Sequence, residues 1–221
     1  MSARTERGAS GVRPRRLVVV TGTGTDVGKT WWSSTLIHAL RARGLTVAAR
    51  KPVQSFAAAD RAPGTDAGLL GAATGEALDV VCPPHRRLPV PIAPPMAARA
   101  LGRPSFTIAE LTAEIAWPEA TAVGLVEGVG GLRSPLAEDG DTRTLIDALD
   151  PDDVLVVADA GLGVIHGVRL VVDALPGRRI TVILNRFDPG DDLHRANREW
   201  LVGRDGCTVV TEPEDLATRW A

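Results

Sequence analysis

The chain has no tyrosine, two cysteines, and only two lysines among its 25 basic residues. It also has no apolar run approaching the length of a membrane span. Each shortage excludes a class. Cys82 and Cys207 are too few and too far apart for a disulfide framework or a zinc site, and read as free thiols in a reducing cytoplasm. A formal net charge of −2 and an isoelectric point near 6.1 leave no basic surplus, so neither nucleic acid nor a membrane is the expected partner. Arg4, Arg7, Arg13, Arg15 and Arg16 come early in the chain, with no apolar core between them and the first strand. That segment does not read as a signal peptide, and residues 1–16 are expected to be a disordered leader. With 44% hydrophobic and 24% charged residues overall, 17–221 is expected to form a single domain with a full core.

The lysine shortage is the most informative. Every other basic side chain is arginine, a bias like that of a GC-rich coding sequence, in which arginine replaces lysine wherever it serves. A lysine kept against that drift is needed as a compact ammonium and not as a planar fork. Lys29 and Lys51 are both functional candidates.

What is present is alternation. Residues 17–21, 46–50, 122–126, 154–158 and 180–184 read as strands. Helical patterns occupy 30–43, closed by Gly44, and then 164–175 and 191–202. Residues 52–104 are broken by Pro and Gly and hold short helices near Asp66–Thr74 and 95–101. Thr107 and Glu110 form a capping box opening a helix to Ile115. Strands alternating with helices predict an α/β fold, a mostly parallel sheet flanked by helices on both faces, with strand order open. Ligands in such a sheet sit beyond the carboxyl ends of the strands. There the sequence places 22–29, 51–55, 127–131, 159–163 and 185–186.

An apolar β-branched run leads into Gly22-Thr23-Gly24-Thr25-Asp26-Val27-Gly28-Lys29-Thr30. A glycine-rich loop between strand and helix cradles phosphates with its backbone N–H groups and the positive end of the helix. Lys29 would reach the outer phosphates, and the Thr30 hydroxyl could ligate Mg²⁺. The first glycine falls at Gly22, one place early, and no lysine stands near the loop start, which weighs against the partition-ATPase class. Lys51, ending a strand, reads either as a stabiliser of a transferring phosphoryl group or as a surface lysine. Glu127 closes an apolar strand ahead of Gly128, Gly130 and Gly131, which leave room for a ligand. Asp66 reads as a helix N-terminal acid or a ligand. Asn185 reads as a strand-end turn residue or an amide able to pair with a base edge. Trp31 and Trp32, at a helix start, read as core packing.

In order and spacing, residues 22–30, Lys51-Pro52-Val53-Gln54-Ser55, Val126-Glu127-Gly128-Val129-Gly130-Gly131-Leu132 and Val182-Ile183-Leu184-Asn185-Arg186 resemble the dethiobiotin synthetase family, from about 17 to 186. The resemblance implies a P-loop NTPase-like fold and a homodimer with the substrate at the subunit interface. It implies ATP- and Mg²⁺-dependent closure of a ureido ring on 7,8-diaminopelargonic acid, using CO₂ or bicarbonate. By the same resemblance Lys51 is catalytic, and Thr30, Asp66 and Glu127 hold the metal. Asp26, Val27, Gly28, Lys29, Thr30, Trp31, Asp66, Glu127, Gly128, Val129, Gly130, Asn185, Arg186 and Pro213 bind the nucleotide, while Ser55, Gly163 and Val164 contact the substrate.

Three positions depart from the family pattern. Phe56 follows Ser55 where glycine is typical, Pro95 stands where histidine is common, and His166 replaces a usual asparagine. They motivate one alternative, a related carboxylating ligase acting on another diamine or amino acid. A second alternative, from another class, is a nucleotide-switched ATPase that binds a partner.

Overall fold

Val18, Val19 and Val20 are each at most 1% exposed. Successive strand side chains point to opposite faces, so burying all three demands an apolar layer on each side. Their strand, β1 (Arg16–Gly22), is central for that reason. Val18 and Val20 enter one core with Leu36, Leu40 and Leu70. Leu17 and Val19 enter a second with Leu111, Leu145 and Ile146.

The computed structural model describes residues 12–60 and 62–221. After β1 come α1 (Lys29–Ala42), β2 (Val47–Arg50), β3 (Gln54–Ser55), α2 (Asp66–Thr74), α3 (Leu78–Val81), β4 (Arg87–Leu88), α4 (Pro94–Ala100) and α5 (Ile108–Ala113). The chain continues through β5 (Val123–Glu127), β6 (Pro135–Ala137), β7 (Gly140–Asp141), α6 (Thr142–Leu149) and β8 (Asp153–Asp159). It closes with α7 (Val164–Asp173), β9 (Ile180–Asn185), α8 (Asp192–Gly203), β10 (Val209–Val210) and α9 (Pro213–Trp220).

Six strands form one parallel sheet in the order β10-β9-β8-β1-β5-β2. The first core joins α1, α2 and α9 to one face of this sheet. Residues of α5, α6, α7 and α8 cover the other. β1 lies between β5 and β8, so the chain leaves it toward both sides, and the loops after these strands meet at their carboxyl ends. The outer strand β2 is covered where it would otherwise offer an open edge: the Glu76 carboxylate accepts the Ala49 N–H at 2.9 Å and pairs with Arg50 at 2.8 Å. Among the described residues, no helix is long and apolar enough to cross a membrane, and both cysteines are free thiols.

The five expected strands and the helices at 30–43, 66–74 and 191–202 are present, and the capping box forms, though its helix stops at Ala113. Four features differ from expectation. Of the expected leader, residues 1–11 lie outside the described residues, but 13–16 are held to the sheet. The Arg15 N–H donates to Thr121 O at 3.1 Å, and Arg13 donates to Leu149 O at 3.2 Å. Residues 52–104 carry α3 and a β3–β4 pair as well as the two expected helices. The helices α6 and α9 and the strands β6, β7 and β10 have no counterpart among the expected elements. Finally, the tryptophans part company. Trp32 is 1% exposed in the core, while Trp31 is 59% exposed, because α1 turns by about 100° per residue and its inward stripe runs through Lys29, Trp32, Ser33, Leu36, Ile37 and Leu40, leaving Trp31 outside it.

Trp32→Ala should cost about 3–5 kcal/mol of unfolding free energy, whereas Trp31→Ala should stay within about 0.5 kcal/mol of the parent. Urea denaturation of the two variants checks the contrast.

Candidate functional site

The loop between β1 and α1 is shaped by its backbone. Asp26 has φ +57° and Gly28 φ +90°. Alternation of this kind turns successive N–H groups toward one concavity. The amides of Gly24, Thr25, Asp26, Val27 and Gly28 donate to no acceptor among the described residues. Neighbouring strand ends hold the loop: Thr23 N–H donates to Val157 O at 3.0 Å, and Leu132 N–H to Gly22 O at 3.1 Å. The Asn185 amide donates to Val27 O at 2.9 Å. It lies so close under the loop that a Cβ on residue 28 would fall 2.0 Å from its Nδ2, so only glycine fits there. Arg186, itself at φ +56°, pairs with Asp159 at 2.6 Å and donates to Asp26 O at 3.2 Å, strapping the loop to the end of β8.

A second cluster lies beside the loop. Lys51, just past β2, is 1% exposed and not a surface lysine. Its ammonium donates to Glu127 Oε1 at 2.9 Å and Gly128 O at 2.9 Å, and pairs with Asp66 Oδ2 at 2.7 Å. All three of its N–H bonds are thus satisfied by the protein. Burial alone would push this ammonium down, but the Asp66 and Glu127 carboxylates together hold it well above the ordinary lysine range. Lys51 in turn holds the Asp66 carboxyl below the usual carboxylate range. Asp66 is the first residue of α2, behind a Thr65 cap, so it is both a helix N-terminal acid and a member of the cluster.

Lys29 opens α1, and its Nζ donates to Gly24 O at 3.0 Å. Burial, and after it the nearby Lys51 ammonium, push Lys29 below its ordinary range. Two ammonium groups this close to a cradle of free N–H groups suit a bound polyanion.

Thr30 Oγ1 lies 2.8 Å from Asp66 Oδ1 and 2.7 Å from Glu127 Oε1. One hydroxyl has one proton, so it can satisfy only one of these carboxylates. Three hard oxygens converging in this way suit a small divalent cation such as Mg²⁺, which takes one or two carboxylates and completes its shell with water and phosphate. Among the described residues no group of three or more His, Cys, Asp or Glu is placed to hold a metal ion.

The remaining expected residues are more spread out. A Cβ on Gly130 would lie 3.5 Å from Thr25 Oγ1, so the Gly128-Val129-Gly130 turn abuts the loop. Gly163 and Val164 start α7, and that helix reaches the loop at Gly167, where a Cβ would lie 3.3 Å from Thr23 Cβ. A cavity of about 570 Å³ opens between them, with Thr23, Thr25, Ser134, Gly167 and Leu170 among its lining. Ser55 is half-buried in β3, and Pro213 begins α9, which packs on α1. Trp31 follows Thr30 but faces solvent.

Two further residues, which nothing in the motifs singles out, support the cluster. Ser33 Oγ donates to Glu127 Oε2 at 2.8 Å, and Gln54 Oε1 accepts the Ala67 N–H at 3.0 Å, steadying the turn that carries Asp66. Ser33 had a signal. Residues 29, 32, 33, 36, 37 and 40 make the buried stripe of α1, and a serine on such a stripe needs a partner.

A family model described as AAA domain matches residues 16–211. The chain is 38% identical to ATP-dependent dethiobiotin synthetase BioD of Anaeromyxobacter dehalogenans (strain 2CP-C) over 213 residues, 92% of this chain and 93% of that one. Proteins of the same name are similar to it in Phenylobacterium zucineum, 39% over 74% and 71% of the two chains, and in Haloferax mediterranei, 35% over 88% and 82%. Among solved structures, the signal recognition particle receptor FtsY of Elizabethkingia anophelis superposes with a TM-score of 0.52 at 16% identity, over 97% of this chain and 67% of that one. That last likeness is one of fold alone.

Gly28→Ala should displace Asn185 and the loop, abolishing detectable binding of a fluorescent ATP analogue while the far-ultraviolet circular dichroism stays that of the parent. A pH series tests the Asp66–Lys51 pair. A depressed carboxyl stabilises the fold above its ordinary pKa of 3.8 and loses that contribution as pH falls through the lower folded value. The midpoint temperature of the parent should therefore fall more steeply on acidification below about pH 4 than that of Asp66→Asn.

Proposed function

The chain belongs to the dethiobiotin synthetase family, and from that premise we propose that its site closes the ureido ring of dethiobiotin on 7,8-diaminopelargonic acid, consuming ATP and CO₂. The observation that carries the proposal is the meeting of Lys29, Thr30, Lys51, Asp66 and Glu127 at the mouth of a loop with free N–H groups. Phosphoryl transfer asks for positioning and charge neutralisation more than for covalent chemistry by the protein.

The reaction needs three bonds. One substrate amine takes up CO₂ to form a carbamate and gives up a proton. A carbamate oxygen attacks the γ-phosphorus of ATP, ADP departs, and a carbamic–phosphoric anhydride remains. The second amine attacks the anhydride carbonyl, phosphate leaves with the oxygen, the amine's proton departs with it, and the ring closes. In this scheme the loop amides and Lys29 hold the phosphate chain. Lys51 releases Asp66, its half-exposed partner, and turns that N–H toward the carbamate and the transferring phosphoryl. Thr30, Asp66 and Glu127 would hold Mg²⁺, which would supply charge neutralisation for phosphoryl transfer. Asn185, Arg186 and Pro213 are assigned to the adenine base. Ser55 and the start of α7 at Gly163 and Val164 take the substrate, whose carboxylate suits a helix N-terminus. Residues 17–221 act as one domain, and a second copy completes the substrate side, where Leu162 is 91% exposed. Two free thiols fit residence in the cytoplasm.

A second reading rests on Phe56 and His166. Phe56 is half-buried and donates its N–H to Leu88 O at 3.0 Å, extending the β3–β4 pair beside Ser55, and His166 is exposed on the first turn of α7. Both favour the same chemistry on a different diamine.

Phosphate release should require ATP, Mg²⁺, bicarbonate and diaminopelargonate together. Release with the other three but no diaminopelargonate would overturn the ligase reading in favour of a nucleotide-switched ATPase. Release with another diamine alone would favour the second reading. Lys51→Gln should lower kcat on the order of a hundredfold with little change in ATP affinity. Lys29→Arg should lose nearly all turnover, since a guanidinium cannot enter a cradle built for one ammonium.

A further inference from the structure

A hydroxyl inside a helix can bond back to the carbonyl one turn earlier. Thr35 does so on Trp31 O at 2.9 Å, Thr74 on Leu70 O at 3.0 Å, and Thr218 on Glu214 O at 2.8 Å. Ser33, in the same helix as Thr35, does not. Its Oγ donates across to Glu127 Oε2 at 2.8 Å, inside the protein, with Ser33 at 1% and Glu127 at 0% exposure. The two oxygens of Glu127 therefore have different duties. Oε1 faces Thr30 and Lys51, whereas among the described residues Ser33 is the sole partner of Oε2.

We propose that Ser33 is a positioning residue for the divalent ion, acting through Glu127: its hydroxyl fixes the carboxylate plane so that Oε1 stays aimed between Thr30 and Lys51. The proposal rests on the reading of Thr30, Asp66 and Glu127 as the ion's holders. Without the Ser33 hydroxyl, Oε2 is a buried carboxylate oxygen with no donor. The carboxylate then turns toward the nearest remaining cation, Lys51, which competes with the divalent ion for the same oxygens. Partners that orient a metal-binding side chain are worth roughly 10–100-fold in metal affinity.

The test is a Mn²⁺ titration, followed by electron paramagnetic resonance, of the full chain with a non-hydrolysable ATP analogue. Ser33→Ala should bind Mn²⁺ roughly tenfold more weakly. Ser33→Thr, which restores the hydroxyl, should bind Mn²⁺ more tightly than Ser33→Ala, with a loss against the parent well under the roughly tenfold lower end of this effect. Ser34→Ala is the control, because the Ser34 hydroxyl is buried with no partner and has no link to Glu127. It should leave Mn²⁺ affinity unchanged. In turnover, Ser33→Ala should raise the Mg²⁺ requirement while KM for ATP at saturating Mg²⁺ stays that of the parent. If Ser33→Ala fails to fold, Ser33→Cys, with a weak donor in the same place, should show the loss instead. Equal Mn²⁺ affinity in the folded Ser33 variants and the parent would overturn the proposal, as would an equal loss in Ser34→Ala. Failure of the parent itself to bind Mn²⁺ with nucleotide would remove the metal reading, and this proposal with it.

Discussion

A buried ammonium held between two carboxylates sets the terms for the rest of this structure. Lys51, at 1% exposure, cannot stay charged inside the protein without Asp66 and Glu127. These three residues come from the end of β2, the start of α2 and the end of β5. Pairing them brings those three chain segments within a lysine's length of one another. Thr30 and Ser33, on α1, then complete the shell around the carboxylates, so the helix that follows the phosphate loop is locked to the same cluster. Removing Lys51, Glu127 or Ser33, each at most 1% exposed, leaves a charge or a lone pair uncompensated in a place water does not reach.

The sheet makes that convergence geometrically simple. Because all six of its strands are parallel, their carboxyl ends lie along one rim, and the central position of β1 puts its loop between the ends of β5 and β8. Hydrogen bonds from Leu132 and Thr23 and to Val27 then tie the loop to its neighbours before any ligand arrives. Its cost is local backbone strain at Asp26 and Arg186, both non-glycine residues at positive φ, and such strain persists where the surroundings over-determine it.

The legible parts of the sequence were those with local cause. β-Branched runs marked the central strands, because burial on both faces leaves a continuous apolar signature. The scarcity of lysine marked Lys29 and Lys51, and both are buried at the site. Less legible was whatever depends on distant neighbours. Lys51 finds its partners across many intervening residues, so the sequence allowed a surface reading that the buried cluster removes. The two residues of β10 are too few to show a period. α9, by contrast, carried Pro213 at its first position with Glu214 and Asp215 in its first turn, a start signal of the ordinary kind. Trp31 and Trp32 were read together because composition alone does not say which of two adjacent bulky residues a helix turns inward.

That division between the two tryptophans gives the molecule an optical property. With no tyrosine and three phenylalanines, its near-ultraviolet emission belongs to five indoles. Trp32 sits in a dry core, whereas Trp31 stands in water one residue beyond Thr30, at the first turn of α1. The red edge of the intrinsic spectrum therefore belongs to the two exposed indoles, Trp31 at 59% and Trp200 at 45%, which a quencher dissolved in water reaches while Trp32 continues to report on the interior.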